Sequence, residues 1–227
     1  MEFLPKKIDD YCVAHTTSEG DILHALTRET HLKTMVPRML SGHLQGRFLS
    51  LISHLMQPKR VLEIGTFTGY SALCLAEGLA DDGILFALEG NDELAYLIEK
   101  YVEKGGFKDK IKLVIGDALK TIPTLDETFD LVFMDAAKRD YPVYYDLVFD
   151  KVRSGGLIIA DNILWSGKVV EEKKDLDTQI IDAFNKKIHD DPRVENLLLP
   201  LRDGLMIARK KWVPPSVKCR FQAFWKQ

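Results

Sequence analysis

The sequence predicts an α/β fold, an open and mostly parallel sheet with an antiparallel edge and helices on both faces. Three observations predict it. Short apolar runs rich in Val, Ile, Leu and Phe recur at 61–64, 84–88, 111–115, 129–134 and 157–160, separated by stretches of helical length, which is the alternation of βαβ units. Between two of them, Leu94, Leu97, Ile98, Tyr101 and Val102 share one helix face over 93–104, before Gly105 and Gly106 stop the helix. After Asp191 and Pro192, the runs Leu197–Leu199 and Leu205–Ala208 flank an Arg202-Asp203-Gly204 turn and read as a terminal hairpin.

Taken in order, residues 18–57 carry a helical pattern, with Leu44, Phe48, Leu51, Ile52 and Leu55 on one expected stripe and Pro58 ending it. Val61–Ile64 then runs into the loop Gly65-Thr66-Phe67-Thr68-Gly69. A helix follows near Tyr70, with Ala72, Leu73, Ala76 and Leu79 on one face. Late in the chain, Ile181, Phe184 and Ile188 mark another helix. No repeat or linker divides the 227 residues, so a single domain is expected, with a helical cap (1–57), an α/β core (58–210) and a C-terminal extension (211–227).

Composition narrows the function classes. With 31 basic and 34 acidic residues the net charge is −3, which gives no global attraction to nucleic acid or an anionic membrane. The longest apolar runs, such as Leu157–Ala160, fall far short of the roughly 20 residues that span a bilayer. Residues 1–10 mix lysines with aspartates and do not read as a secretory signal, and the three cysteines form no Cys-x-x-Cys pair, so a cytoplasmic location is expected. The histidines show no zinc spacing.

In an open sheet of this type, ligands bind beyond the carboxyl ends of the strands. The first loop is not the dinucleotide fingerprint, and Glu63 puts a carboxylate where a pyrophosphate would be repelled. S-adenosylmethionine carries a cationic sulfonium and amino group and no phosphate, so an acidic loop suits it. Glu89, ending the second strand, is placed for ribose hydroxyls, and Asp117 with Ala118, ending the third, for the adenine. Singly, each of these carboxylates reads more readily as a dipole partner or N-cap; together, at the right strand ends, the cofactor reading prevails.

The fourth and fifth strands end in Asp135 and in Asp161-Asn162. Two carboxylates and an amide are hard oxygen donors, which points to Mg²⁺, or Mn²⁺ or Ca²⁺ in its place. An isolated Asp-Asn pair is also a common cap. Lys138, three residues after Asp135, is a candidate general base; a solvated lysine is the alternative. A phenol with a pKa near 10 is only about 0.1% ionised at pH 7, a cost of about 4 kcal/mol that a divalent cation on the oxygen would lower. An ortho-dihydroxy ring would chelate through both oxygens.

These residues resemble the cation-dependent O-methyltransferases that include caffeoyl-CoA O-methyltransferase and its bacterial relatives, with animal catechol O-methyltransferase more distant. The likeness runs from about Asp10 to Lys210 and rests on five strings: Leu62–Ser71, Asp135-Ala136-Ala137-Lys138, Asp161–Trp165, Asp191–Val194 and Asp203-Gly204. It implies a Rossmann-like class I methyltransferase with a seven-stranded sheet, S-adenosylmethionine, a divalent metal and a homodimer. Carried over by position, it assigns Ser41, Glu63, Gly65, Thr66, Ser71, Glu89, Ala118 and Asp135 to the cofactor. It assigns Asp135, Asp161 and Asn162 to the metal and Lys138 to proton transfer. Lys138, Trp165 and Ser166 are expected at the substrate, with Trp165 walling an aromatic ring or simply packing.

Three departures stand out. Ala137 replaces the second Asp of the plant pattern, Ser166 replaces an Asn associated with substrate, and 168–178 lacks the longer plant insertion, which disfavours a CoA ester as substrate. The expectation is methyl transfer to a small catechol-like aromatic. The alternatives are a tRNA hydroxyuridine O-methyltransferase of the same family, disfavoured by overall acidity, and a non-catalytic cofactor-binding protein. A nicotinamide oxidoreductase is contradicted by Glu63.

Overall fold

The computed structural model describes residues 5–212. Seven strands form one sheet: β1 (Arg60–Ile64), β2 (Ile84–Glu89), β3 (Ile111–Ile115), β4 (Phe129–Met134), β5 (Val152–Asp161), β6 (Val194–Leu199) and β7 (Leu205–Lys210). Their order is β3-β2-β1-β4-β5-β7-β6, with β1–β5 parallel and the β6–β7 hairpin antiparallel along β5. The expected α/β sheet and terminal hairpin are therefore present. β5 starts five residues before the expected apolar run, across Gly155 and Gly156 and a register shift against β4. A Cβ on Gly156 would sit 2.9 Å from the Asp130 carbonyl, which is why a glycine stands there.

Successive side chains of a strand face opposite ways, and both faces of this sheet are covered. On one face Leu131, Phe133 and Ile159 pack with Leu73, Leu97 and Tyr101 from α4 (Tyr70–Ala76) and α5 (Ala95–Lys104). On the other, Val132, Met134 and Ile158 meet Tyr141, Tyr145 and Phe184 from α7 (Tyr141–Phe149) and α8 (Leu176–His189). α6 (Ala118–Thr124) also lies on that side, through Ile122.

The N-terminal cap comprises α1 (Lys6–Ala14), α2 (Gly20–Lys33) and α3 (Gly42–Met56). Here the structure reverses one expectation. Leu51 and Leu55, placed on the expected apolar stripe of α3, are 58% and 73% exposed, while Gln45, Gly46, Leu49, Ser50 and Ser53 are buried. The cause is close packing against α4. A Cβ on Gly46 would fall 2.6 Å from the Tyr70 ring, and Ser53 Oγ donates to the Leu75 carbonyl at 2.6 Å, so small residues form this contact, while Leu51 and Leu55 turn outward and Phe48 and Ile52 pack at its flank. Buried Thr30 of α2 donates to Thr68 Oγ1 at 3.0 Å, which ties the cap to the loop after β1. Among the described residues no helix is long and apolar enough to cross a membrane. All but two residues of the expected 211–227 extension, and Cys219, lie outside the described range.

Candidate active site

The order of strands reverses at β1, which has β2 on one side and β4 on the other, so the loops that follow β1 and β4 diverge and leave a crevice. Register sets what meets there. Ile64 pairs with Met134 and Met134 with Ala160, so Gly65, Asp135 and Asp161 leave three neighbouring strands at the same level. Gly65 has φ +91°, and a Cβ there would come within 2.6 Å of the Asp135 carbonyl, so no other residue fits without moving β4.

Behind this loop lies a buried carboxylate, with two more accessible ones nearer the cavity. Glu63 is fully buried; its Oε2 accepts from Thr66 Oγ1 at 2.8 Å, Ser71 also donates to the carboxylate, and Oε1 has no partner. Burial pushes the Glu63 carboxyl up to about 7, against the two hydroxyl donors, with the charges of Asp135 and Glu89 adding to the rise. Glu89 orders the neighbouring loops: Oε2 accepts from the Phe67 N–H at 2.7 Å and Oε1 from the Asn91 N–H at 2.9 Å. Asp117 caps α6 through the Leu119 N–H at 3.0 Å, so its cap reading is realised while it also faces the crevice.

The second constellation stands across the crevice. Lys138 opens a 3₁₀ turn, Lys138–Asp140, that leads into α7. Its Nζ lies 2.6 Å from Asp135 Oδ1, with only 13% and 16% of the two side chains exposed, and 5.0 Å from the centre of the Tyr141 ring. Burial raises the Asp135 carboxyl; Lys138 opposes the rise and Asp161 reinforces it. The Tyr141 hydroxyl lies 2.8 Å from the Met134 carbonyl and 3.1 Å from that of Asp161, which rivets the ends of β4 and β5 together. Asp161 is 1% exposed and held at both oxygens, Oδ1 by the Asn162 N–H and Oδ2 by Gln45 Nε2, each at 2.6 Å.

The loop after Asp161 is strained. Asn162, Trp165 and Ser166 all have φ between +49° and +59°, a region that side chains rarely adopt. The β6–β7 turn holds it in place: Leu164 N donates to the Asp203 carbonyl at 2.9 Å and Ser166 N to Asp203 Oδ1 at 2.6 Å. Gly204, at φ +87°, lies where a Cβ would strike Leu164 at 2.5 Å. The expected hairpin thus has a second task, since its turn clamps Asn162, Trp165 and Ser166. Trp165 packs partly into the core and also lines the crevice, so both readings of it hold.

The crevice is a cavity of about 1240 Å³. Of the expected site residues, Gly65, Glu89, Asp117, Ala118, Asp135, Lys138, Asp161, Asn162, Trp165 and Ser166 line it. Ser41, Thr66 and Ser71 line a small adjoining hollow, and Glu63 lies behind both. Sequence reasoning missed Gln45, whose only signal is its place one helical turn after Ser41. It read Arg202 only as a turn residue; the structure adds it to the cavity wall and has its guanidinium donate to the Ser41 carbonyl. Tyr144 is buried and also borders the cavity. Among the described residues no three His, Cys, Asp or Glu side chains gather as a metal cluster, so a cation here would depend on the amide of Asn162 beside the two aspartates.

Comparison with known proteins agrees with this geometry. Residues 13–211 match the family described as O-methyltransferase. Caffeoyl-CoA O-methyltransferase 1 of Eucalyptus globulus is 36% identical over 178 residues, covering 73% of this chain and 72% of that protein. The SAH-bound methyltransferase PaMTH1 of Podospora anserina superposes with a TM-score of 0.84 at 29% identity, covering 93% of this chain and 100% of that one. The O-methyltransferase TomG of Streptomyces achromogenes, solved in complex with SAM, gives 0.84 at 28% identity, with 91% and 96% covered. The family match spans most of the sequence and the whole fold superposes on solved methyltransferases; the chain belongs to the O-methyltransferase family and is an S-adenosylmethionine-dependent O-methyltransferase.

Proposed function

We propose that the enzyme methylates one hydroxyl of a small ortho-dihydroxy aromatic and that it does so with a divalent cation, Mg²⁺ or its substitutes Mn²⁺ and Ca²⁺. The observation that carries this is the meeting of Asp135, Asp161 and Asn162 at the ends of adjacent strands, in one cavity with Lys138. The donor set fits a hard cation, being all oxygen with no sulfur or imidazole. The Asn162 side chain has no hydrogen-bond partner among the described residues, which leaves its amide oxygen available. The first loop fits the cofactor on the same grounds: Glu63 has an unpartnered buried oxygen, Glu89 ends β2 and Asp117 follows β3, both on the cavity wall.

When bound, S-adenosylmethionine supplies the electrophilic methyl and the cation a positive charge that lowers the cost of ionising the acceptor hydroxyl. The remaining work falls to side chains of the enzyme. Asp135, Asp161 and Asn162 are the residues assigned to hold the cation, with Asp135 also facing the cofactor. Ser41, Glu63, Gly65, Thr66, Ser71, Glu89, Asp117 and Ala118 are assigned to bind and orient the cofactor. Lys138 would act in its neutral form, having first released its own proton to solvent, and Nζ then takes the proton from the acceptor hydroxyl. Trp165 and Ser166 border the acceptor, with Trp165 offering an aromatic face.

Charge on the cavity wall separates this reading from tRNA methylation. Eight acidic residues, Asp9, Glu89, Asp117, Asp135, Asp161, Asp175, Asp177 and Asp203, stand against four basic ones, Arg38, Lys138, Lys168 and Arg202. A polyanion would meet net repulsion there. A homodimer in the cytoplasm belongs to the same proposal, supported by the outward apolar residues of α3 and by the free thiols of Cys12 and Cys74. The test is an acceptor panel of catechols, monophenols, a caffeoyl thioester and total tRNA, incubated with labelled S-adenosylmethionine with and without Mg²⁺. Catechols should be labelled only with Mg²⁺, and labelling confined to tRNA would overturn the substrate class.

A further inference from the structure

Gln45 is fully buried on α3, 116 residues away in sequence from the aspartate it touches. Its Nε2 lies 2.6 Å from Asp161 Oδ2, and its Oε1 has no partner. The orientation of the amide is forced, because exchanging nitrogen and oxygen would set two acceptors against each other at that distance. The fold therefore leaves one buried acceptor unsatisfied in order to keep a donor on Asp161.

The two oxygens of Asp161 differ in what holds them. Oδ1 is held by the N–H of the next residue, a contact that travels with the strand end. Oδ2 depends on α3, a separate element. That element is well fixed: Gly46 brings its backbone against the Tyr70 ring, and the guanidinium of Arg202 donates to the Ser41 carbonyl one turn before Gln45. We infer that Gln45 is a positioning residue of the proposed cation site, holding the Asp161 carboxylate in a single orientation from a helix that carries no cation ligand of its own. The inference rests on the cation reading given above. Outer partners that orient a ligating side chain typically cost 10–100-fold in metal affinity when removed.

The experiment uses the full chain and Mn²⁺ alone as probe, with free Mn²⁺ followed by electron paramagnetic resonance and neither cofactor nor acceptor present. Gln45→Met keeps the shape and removes the donor; Gln45→Asn keeps the amide but is one methylene too short to reach. Both should bind Mn²⁺ about 10–100-fold more weakly than the wild type. Their S-adenosylmethionine affinity by titration calorimetry should stay within about twofold, and their melting temperatures should fall by no more than a few degrees, the cost of one lost buried hydrogen bond. That split is what a merely structural role would not give. Unchanged Mn²⁺ affinity in both variants overturns the inference, as does a parallel loss of Mn²⁺ affinity, cofactor affinity and melting temperature in both. A wild type that binds no Mn²⁺ overturns the cation reading itself, and this inference with it.

Discussion

The Nζ of Lys138 is pinned between Asp135 Oδ1 and the Tyr141 ring, which limits the amine to a few conformations at the edge of the cavity. If it accepts the proton of the acceptor hydroxyl, Lys138→Ala costs about 10²- to 10⁴-fold in turnover. Lys138→Arg does not recover the loss, because arginine keeps the charge and cannot give up its proton. The deficit narrows between pH 6 and 10 as the catechol ionises unaided, which single-turnover methylation would show. Glu63 makes a different prediction. Its folded pKa of about 7 stands above the ordinary 4.5, so the fold binds a proton that the unfolded chain releases. The stability this gives the unliganded protein is fully present below about pH 4.5 and is lost as pH rises through about 7. The melting temperature should fall from pH 5 to 8, and Glu63→Gln should flatten that fall, with a gain on the order of 3 kcal/mol at pH 8. At this scale the sequence was legible where residues end strands or closely follow them, as Asp135, Asp161 and Asn162 do and Lys138 does in the turn after β4. It was silent on Gln45, since a lone glutamine in a helix carries no sign of what it will touch.

α3 shows how an element can be read correctly as a helix and only in part as to its face: Phe48 and Ile52 pack inward as expected, Leu51 and Leu55 do not. The periodicity of Leu44, Phe48, Leu51, Ile52 and Leu55 is real, but close approach to α4 selects the small residues Gly46, Ser50 and Ser53 for burial. Such packing depends on the partner and leaves no period in the sequence. The central strands were legible because a sheet buried on both faces reads as continuous apolar runs; the hairpin was legible from the turn residues Arg202-Asp203-Gly204 between two apolar runs, although Leu197 and Leu198 of β6 are exposed. The clamp that the hairpin turn places on residues 162–166 was not legible, because it joins segments 37 residues apart. Gly204→Ala tests that clamp. The substitution strains a left-handed backbone and drives a methyl into Leu164, so it should destabilise the protein by about 1–3 kcal/mol in denaturant unfolding. Because Asn162, Trp165 and Ser166 move with the loop, turnover should drop while S-adenosylmethionine affinity holds.

The whole molecule joins two half-sites that the strand order brings face to face. The β1 side, with its buried Glu63 and the carboxylates of Glu89 and Asp117, holds features suited to the cofactor. The β4–β5 side holds Asp135, Lys138, Asp161 and Asn162. The helical cap is tied to both, through Thr30 to Thr68 and through Gln45 to Asp161, so neither half is independent of it. The central claim is that the two halves have separable duties, cofactor binding on one and cation-assisted activation of the acceptor on the other. The most direct measurement strips the enzyme with excess EDTA, then follows S-adenosylmethionine binding by calorimetry and single-turnover methylation of a catechol, before and after Mg²⁺ is restored. Binding should persist within a few-fold while methyl transfer disappears and returns with Mg²⁺; full methyl transfer in the presence of excess EDTA would contradict the claim.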